Sequence, residues 1–431
     1  KKSMGESKAI LTGVGASPGT ASGPVKKVPS AEDLDKVKKG DMLVTEMTNP
    51  DFVPAMKRAG AIVTDKGGKT SHAAIVSREL GIPCIVGTGK ATALLKDKQI
   101  ITVVGEQGKV YDGELTTEIA ETTEKENAST TAEITSSNVT TATKVYLNLG
   151  EPSLAKEHAQ KNVDGVGLLR AEFIYAGLGK HPRALIGTGE GVKLKEALTE
   201  GISEIAKAFN PRPVVYRTSD LKTNEYRNLE GGDDYEEEES NPMLGFRGAS
   251  RYVADDEVFK VELEAIKEAR NITNNIWVMI PFVRTPEELK EVKKIMSSVG
   301  LHRGGSFKLW LMVEIPSNVI LLEKFIGAGI DGVSIGTNDL TQLTLGVDRD
   351  NAKLADLFDE RNEAVQWMLE KAIKESAAHG ITSSICGQAP TLYPEMVKKL
   401  VEWGITSISV SPDVIEKTRD IVRKAEKDLV N

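Results

Sequence analysis

Cysteine is almost absent: Cys84 and Cys386 are the only two among 431 residues. Two thiols so far apart in sequence build neither a disulfide framework nor a four-ligand zinc site. The expectation is a reducing, cytoplasmic setting. Aromatic residues are scarce at 5%. The core must therefore come from Val, Ile, Leu and Ala, which suits parallel α/β sheets whose strands are buried on both faces. An excess of positive charge is missing too. Against 63 Asp and Glu stand 55 Lys and Arg, a formal net charge of −8. That is a poor match to general nucleic-acid binding, although local basic sites for anions stay open. No run reaches the roughly 18 apolar residues of a membrane-spanning helix. No signal-peptide pattern precedes the first strand-like segment. The sequence thus predicts no nucleic-acid partner and no membrane partner.

What is present is the balance of a globular protein, 40% hydrophobic and 27% charged, in a length that implies two domains or three. Composition separates three regions. Residues 1–113 are rich in Gly, Val and Ile, with short apolar runs at 41–44, 61–64, 83–87 and 100–104 bounded by Gly and Pro. These predict strands joined by turns, with helices over about 71–80 and 50–59. Residues 114–143 are mostly Thr, Ser, Glu, Ala and Asn and predict a polar linker, helical in part from about 118 to 127. A coil of about 30 residues spans on the order of 30 Å and reaches roughly 100 Å when extended. Such a tether lets one domain move relative to the next.

Residues 144–431 alternate regularly. Strand candidates fall at 145–149, 165–169, 213–217, 277–282, 309–315, 332–335, 382–386 and 407–410, with helical patterns such as 287–296, 317–326, 361–379 and 394–403 between them. Eight strands alternating with helices predict a (β/α)₈ TIM-type barrel, with an open doubly wound sheet as the runner-up. The fold class is α/β, a barrel preceded by a small β/α domain.

A barrel of this kind places its chemistry at the C-terminal ends of the strands. Those ends carry Arg170, then Glu172; Arg217, then Asp220; Glu314; Gly336-Thr337-Asn338-Asp339; and Cys386-Gly387-Gln388. Arg170 and Arg217 can fork onto carboxylate or phosphate oxygens, and Arg247 can add a third fork. Glu314 and Asp339 are hard oxygen ligands suited to Mg²⁺. Cys386 offers a proton donor or a nucleophile. Any one of these alone reads as a salt-bridge partner, a cap or a core thiol, and their recurrence on one rim is what argues for a site. In the first region, Gly67-Gly68-Lys69-Thr70-Ser71-His72 opens a helix. Free N–H groups at a helix start favour a phosphate there, and neutral imidazole is a nucleophile. The spacing alone leaves His72 open between phosphoryl carrier and structural residue. His158, His181, His302 and His379 show no paired ligand spacing and read as solvated or structural, 236–239 as an exposed acidic loop, and Cys84 as core.

The stretch from Gly68 to Leu80, followed by Gly81-Ile82-Pro83-Cys84-Ile85-Val86-Gly87, resembles the phosphohistidine signature of the phosphoenolpyruvate-utilizing enzymes. Gly167-Leu168-Leu169-Arg170-Ala171-Glu172-Phe173, residues 241–248, Val313-Glu314-Ile315-Pro316, residues 336–340, Asp348-Arg349-Asp350-Asn351 and Cys386-Gly387-Gln388-Ala389-Pro390 resemble its barrel motifs. The resemblance runs from about Leu11 to the end. Residues 216–226 and Gly179-Lys180-His181-Pro182 favour the branch that makes phosphoenolpyruvate from pyruvate. The branch that phosphorylates a carrier protein would need a helical insertion for which residues 1–113 have no room.

The resemblance implies a swivelling phosphohistidine domain at 1–113 and a phosphoenolpyruvate/pyruvate-binding barrel at 144–431. In it, His72 carries the phosphoryl group, and Arg170, Arg217 and Arg247 bind phosphate or carboxylate. Glu314 and Asp339 hold Mg²⁺, Gly336, Thr337 and Asn338 contact substrate, and Arg349 assists. Cys386 moves the methyl proton of the enolate. It also implies a homodimer or higher homo-oligomer, and an ATP-grasp domain that charges the histidine from ATP. The sequence holds no such domain and opens at Lys1, just before 13–19. It is therefore read either as a fragment or as a stand-alone homologue served by another protein, with ATP acting only through that missing domain. The expected activity is the phosphohistidine-to-pyruvate half-reaction. The alternatives are a component passing phosphate from phosphoenolpyruvate to a partner protein, and a non-catalytic assembly homologue.

Overall fold

The computed structural model describes residues 8–115, 140–349, 351 and 353–430. Most of the polar stretch expected to act as a linker, with its helical portion, lies outside them. The chain forms two compact units, one over residues 1–140 and 350–355 and the other over 141–349 and 356–431.

The first unit is an eight-stranded mixed sheet. Its strands are β1 (Leu11–Thr12), β2 (Val14–Ser17), β3 (Thr20–Lys27), β4 (Met42–Thr45), β5 (Ala61–Thr64), β6 (Cys84–Val86), β7 (Ile100–Val104) and β8 (Lys109–Asp112). They lie in the order β1-β8-β7-β3-β4-β5-β6-β2. The apolar runs predicted as strands become β4 to β7. Sequence patterning overlooked β3, because Gly23 and Pro24 interrupt it. The structure shows why both are tolerated. From Thr20 to Pro24 the strand pairs antiparallel with β7, and from Val25 it pairs parallel with β4. Pro24, which has no N–H to give, sits at the changeover. A side chain at residue 23 would meet the Gly40 carbonyl at 2.5 Å. Val25, Met42, Val44, Val63, Ile85 and Ile101 fill the core of this unit.

The second unit is a parallel barrel. Its strands are β9 (Lys144–Leu149), β10 (Gly165–Arg170), β11 (Val214–Arg217), β12 (Ile276–Ile280), β13 (Leu309–Val313), β14 (Gly332–Ile335), β15 (Thr382–Ile385) and β16 (Ser407–Val410). Each of β9 to β14 pairs in parallel with the next, and β16 returns to β9. The seam between β15 and β16 is stitched at one point. The Thr406 N–H donates to the Ser383 carbonyl at 3.0 Å, and the Thr406 hydroxyl accepts from the Ser383 N–H at 3.1 Å. This is the TIM-type architecture expected.

Alternate residues split between two cores, as the period of two requires. Tyr146, Leu168, Val215, Met279, Trp310 and Met312 fill the barrel interior together with Cys386. Val145, Leu147, Val214, Val278 and Leu311 face the surrounding helices. The helices begin where the sequence offers caps. For Pro286–Ser298, the Thr285 hydroxyl accepts the Glu288 N–H at 3.1 Å, Pro opens the first turn, and Glu287 and Glu288 face the positive helix end. The helix expected at 317–326 is instead broken into Pro316–Ile320 and Leu322–Gly327. The first piece serves the site, as described next.

Candidate functional site

In the first unit, the loop after β5 closes on Gly67, whose φ is +109°. A β-carbon there would stand 2.8 Å from the Ser71 hydroxyl oxygen. Glycine thus lets the loop fold against Ser71, whose hydroxyl donates to the Gly68 carbonyl at 2.8 Å. Ser71 holds the N-cap position without capping a helix N–H through its side chain, and His72 is the first residue of the helix His72–Leu80. The Thr48 hydroxyl lies 2.8 Å from His72 Nδ1. A hydroxyl that accepts the Nδ1 proton leaves the Nε2 lone pair as the nucleophile. Together with the partial positive charge of the helix start, this suits a phosphoryl group on Nε2. Sequence reasoning missed Thr48. It lies beyond β4, 24 residues away, and no local pattern marks such a contact.

In the second unit, β10 and β11 end in adjacent arginines, Arg170 and Arg217, which are partners in the parallel register. Burial first, and then the neighbouring Arg217 charge, push Arg170 down to about 10. Burial would lower Arg217 as well. Glu172, Asp220 and Glu314 overcome it and hold Arg217 firmly charged, with Glu172 Oε1 at 2.9 Å. Arg247 grips Asp220 with both arms of its guanidinium, Nε to Oδ1 at 3.0 Å and Nη2 to Oδ2 at 2.6 Å. The same Nη2 lies 3.2 Å from Asp339 Oδ2, and Arg349 Nη1 lies 3.5 Å from Asp339 Oδ1. The Arg247 guanidinium also stacks 4.0 Å over the Phe282 ring.

Glu314 follows β13. Its backbone is fixed by Asn318 in the short helix Pro316–Ile320. Asn318 Oδ1 accepts the N–H groups of Glu314 at 3.2 Å and Ile315 at 3.0 Å, while its amide donates to the Val283 carbonyl at 2.6 Å. Glu314 Oε1 accepts the Phe282 N–H at 2.7 Å. Phe282 has φ at 49°, an uncommon conformation for a bulky residue. Gly336 follows β14, where a β-carbon would come within 3.1 Å of Glu314 Oε2. Glycine lets the chain pass the carboxylate and start the helix Thr337–Leu345, whose first turn carries Asn338 and Asp339. After β15, Gly387 packs on Thr337, with a β-carbon position only 2.0 Å from the threonine hydroxyl. The Cys386 N–H donates to the Ile335 carbonyl at 3.0 Å, and the Asn148 amide donates to the Cys386 carbonyl at 3.1 Å. Burial is the main cause that raises the Cys386 thiol to about 11, so it is protonated at neutral pH.

The structure thus joins Arg217, Arg247, Asp339 and Arg349 through direct ion pairs. Glu314, Gly336, Thr337, Asn338 and Cys386 follow the ends of the neighbouring strands β13, β14 and β15, and Arg170 ends β10 beside Arg217. His72 lies in the other unit. Glu172 and Asp220 do more than follow strand ends, since they hold the arginines in place. Asn148, Phe282 and Asn318 were not foreseen. One expectation is corrected: Glu236, in the run taken for an exposed acidic loop, is buried. It accepts from Arg251 at 2.7 Å and 2.9 Å and faces His181 Nε2 at 3.0 Å. Cys84 is core as expected.

Whether a divalent cation fits can be tested on the carboxylates. Burial, then the charges of Asp339 and Asp220, raise Glu314, while Arg247 and Arg349 hold Asp339 down. Asp339 Oδ1 is buried and, among the described residues, accepts no hydrogen bond, with Arg349 Nη1 at ion-pair distance, 3.5 Å. Two crowded buried carboxylates, one with an unsatisfied oxygen, fit a hard cation that completes its shell with water and substrate. The surrounding guanidinium groups suit a small, planar, multiply charged anion.

Comparison with known proteins identifies the family. Residues 37–108 match the family described as "PEP-utilising enzyme, mobile domain", and residues 123–427 match "PEP-utilising enzyme, PEP-binding domain". Among curated relatives, a phosphoenolpyruvate synthase of Aeropyrum pernix is 49% identical over 100% of this chain and 54% of its own length. One of Pyrococcus furiosus is 47% identical over 98% and 52%. One of Pseudomonas aeruginosa is 43% identical over 96% and 54%. The chain spans about half the length of these relatives. With the larger family match covering the whole barrel and its arginine-lined rim, the chain belongs to the PEP-utilising enzymes.

Proposed function

We propose that the chain carries the phosphohistidine and phosphoenolpyruvate/pyruvate parts of a phosphoenolpyruvate synthase, and that it performs the half-reaction between them. The observation that carries this reading is the set of charged groups at the strand ends of one barrel: Arg170, Arg217 and Arg247 beside Glu314, Asp339 and a protonated Cys386 thiol.

Arg170, Arg217 and Arg247 bind the carboxylate and phosphate oxygens and hold the substrate plane. Glu314 and Asp339 would hold Mg²⁺, which supplies electrophilic stabilisation of oxyanion charge. Gly336, Thr337 and Asn338 contact the substrate at the start of their helix, and Arg349 restrains Asp339. In the direction from phosphoenolpyruvate, the ester P–O bond breaks and a new P–N bond forms at His72 Nε2. The enolate left behind takes a proton at C3 from the Cys386 thiol, giving pyruvate and a thiolate that regains its proton from solvent. Synthesis of phosphoenolpyruvate is the reverse. In the complete reaction, ATP, pyruvate and water would give AMP, phosphoenolpyruvate and phosphate, with the histidine charged by an ATP-grasp domain in cis or in trans.

The test is incubation with phosphate-labelled phosphoenolpyruvate and Mg²⁺. The expected result is acid-labile label on the protein with stoichiometric pyruvate, and none on His72→Ala. Folded protein that takes no label overturns the proposal.

A further inference from the structure

We propose that Glu360 is a positioning residue for the proton-transfer face of the site, holding the Cys386 loop in register with the helix that carries Asn338 and Asp339. The proposal rests on the reading that Cys386 exchanges the C3 proton. Glu360 lies between the helices Thr337–Leu345 and Glu363–Ala378 and is fully buried. One of its oxygens accepts from the Thr337 hydroxyl. The other, Oε2, is buried without a well-formed hydrogen bond among the described residues, the Ala389 N–H being the backbone donor that acts on the carboxylate. A carboxyl group removed from water with one oxygen unsatisfied is costly, and an apolar side chain of similar volume would avoid the cost. Its presence calls for a role outside stability.

Thr337 points to that role. The same hydroxyl oxygen lies 3.5 Å from the Ala389 nitrogen and accepts its hydrogen. It also occupies the space that a β-carbon on Gly387 would need, 2.0 Å away. One residue on, Asn338 Oδ1 accepts the Gln388 N–H at 3.3 Å. The chain leaving β14 and the chain leaving β15 therefore interlock at Thr337. Residues on both sides of the lock belong to the proposed chemistry: Cys386 on one strand end, Asn338 and Asp339 on the other. The rotamer of Thr337 sets where Gly387 can sit, and so where the thiol of Cys386 stands relative to a substrate held on the arginines. Glu360 fixes that rotamer by accepting the threonine hydrogen. Its own backbone is outside both strand-end loops, which makes it an anchor for both.

The test uses the full chain with three substitutions. Glu360→Gln keeps the acceptor and the shape. Glu360→Asp withdraws the carboxyl by one methylene. Glu360→Leu removes the acceptor but fills the volume. Two quantities are measured: the rate of label transfer from phosphoenolpyruvate to His72, and the stereochemistry of proton addition. The second uses phosphoenolpyruvate with one deuterium at C3, in tritiated water, so that the product methyl group is chiral if one face is protonated. We expect Glu360→Gln to stay within about threefold of the parent and to remain stereospecific. Glu360→Asp and Glu360→Leu should lose about tenfold or more in rate and should scramble the methyl group, because an enolate poorly aligned with the thiol is protonated by water. A role in stability alone would move the melting temperature and leave the stereochemistry intact, which overturns the proposal. Equal failure of Glu360→Gln overturns it too, since that variant keeps the acceptor. Thr337→Val opens the same lock from its other end, and parent-like stereochemistry there counts equally against it, even where a Glu360 variant fails to fold. A scrambled product from the parent protein is a distinct result. It would remove the Cys386 reading itself, and this proposal with it.

Discussion

At the scale of single residues, the side chains that tune the site are those farthest from it in sequence. Thr48 is the clearest case: its hydroxyl lies 2.8 Å from His72 Nδ1, across 24 residues of sequence. One hydrogen bond of this kind is worth about 1 kcal/mol, roughly a fivefold change in rate. Thr48→Val should slow the labelling of His72 by about fivefold, and Thr48→Ser should restore it, with little change in melting temperature. Equal rates in all three proteins would remove the orienting role. Glu262 makes a second prediction. It is fully buried and accepts from Tyr216 at 2.7 Å, the Ser219 N–H at 2.8 Å and the Ser219 hydroxyl at 3.0 Å. Burial nonetheless raises it from 4.5 to about 7. The folded state therefore holds this proton more tightly than the unfolded chain. The favourable contribution is complete below about 4.5, falls as pH rises to about 7, and stays flat above. Over that interval the parent should lose on the order of 3 kcal/mol relative to Glu262→Gln. Denaturant titrations of both proteins at several pH values would show it. Parallel curves would mean that the proton is not bound preferentially by the fold.

At the scale of elements, patterning worked where one element makes its own signal and failed where two elements must meet. The barrel strands were legible because parallel strands buried on both faces are unbroken apolar runs. The rim was legible because arginine and carboxylate at the end of such a run have no reason to be there for packing. β3 was hidden by its glycine and proline, and the break in the helix after β13 was hidden because Asn318 is an ordinary polar residue until its partners are known. Glu236 shows the same limit. In sequence it belongs to an acidic run; in the fold it joins three elements. His181 caps the helix Pro182–Gly187 with Nδ1, accepting the Arg183 N–H at 3.1 Å, so its Nε2 proton points at Glu236. Arg251, in the helix Ala249–Ala254, completes the pair. Burial would raise Glu236, but His181 and Arg251 outweigh it and hold the carboxyl below its usual value. Its stabilising contribution is thus present above the ordinary carboxylate range and is lost as pH falls through the lowered value. Glu236→Gln should cost roughly 3 kcal/mol at neutral pH, the cost of leaving a largely buried guanidinium without its counter-ion. The same substitution should lessen the acid-induced loss of stability. A change under about 0.5 kcal/mol in urea unfolding would show instead that the pair behaves like a surface ion pair.

At the scale of the whole molecule, the eight-strand alternation made the barrel predictable, while the contacts that close it were not. The beginning of β9 is held by the far end of the sequence. Glu426, in the final helix Ile415–Val430, accepts the N–H groups of Ala142 at 3.1 Å and Thr143 at 2.7 Å. In the same helix, Arg419 pairs with Asp164 and with the Thr141 hydroxyl, both at 2.8 Å. These long-range polar closures tie the first strand of the barrel to its last helix. The barrel has its own apolar core, and the histidine unit has another. Every arginine and carboxylate of the candidate binding site belongs to the barrel. Residues 140–430 produced alone should therefore fold cooperatively. With Mg²⁺ they should bind oxalate, a planar dianion that resembles the enolate of pyruvate, within about threefold of the affinity of the full chain. They should also take up no label from phosphoenolpyruvate, because the proposed acceptor is His72. Calorimetric titration of the two proteins measures this directly. Affinity lost by more than about tenfold in a folded barrel, some 1.4 kcal/mol, would mean that the histidine unit helps to build the anion site rather than only exchanging phosphate with it.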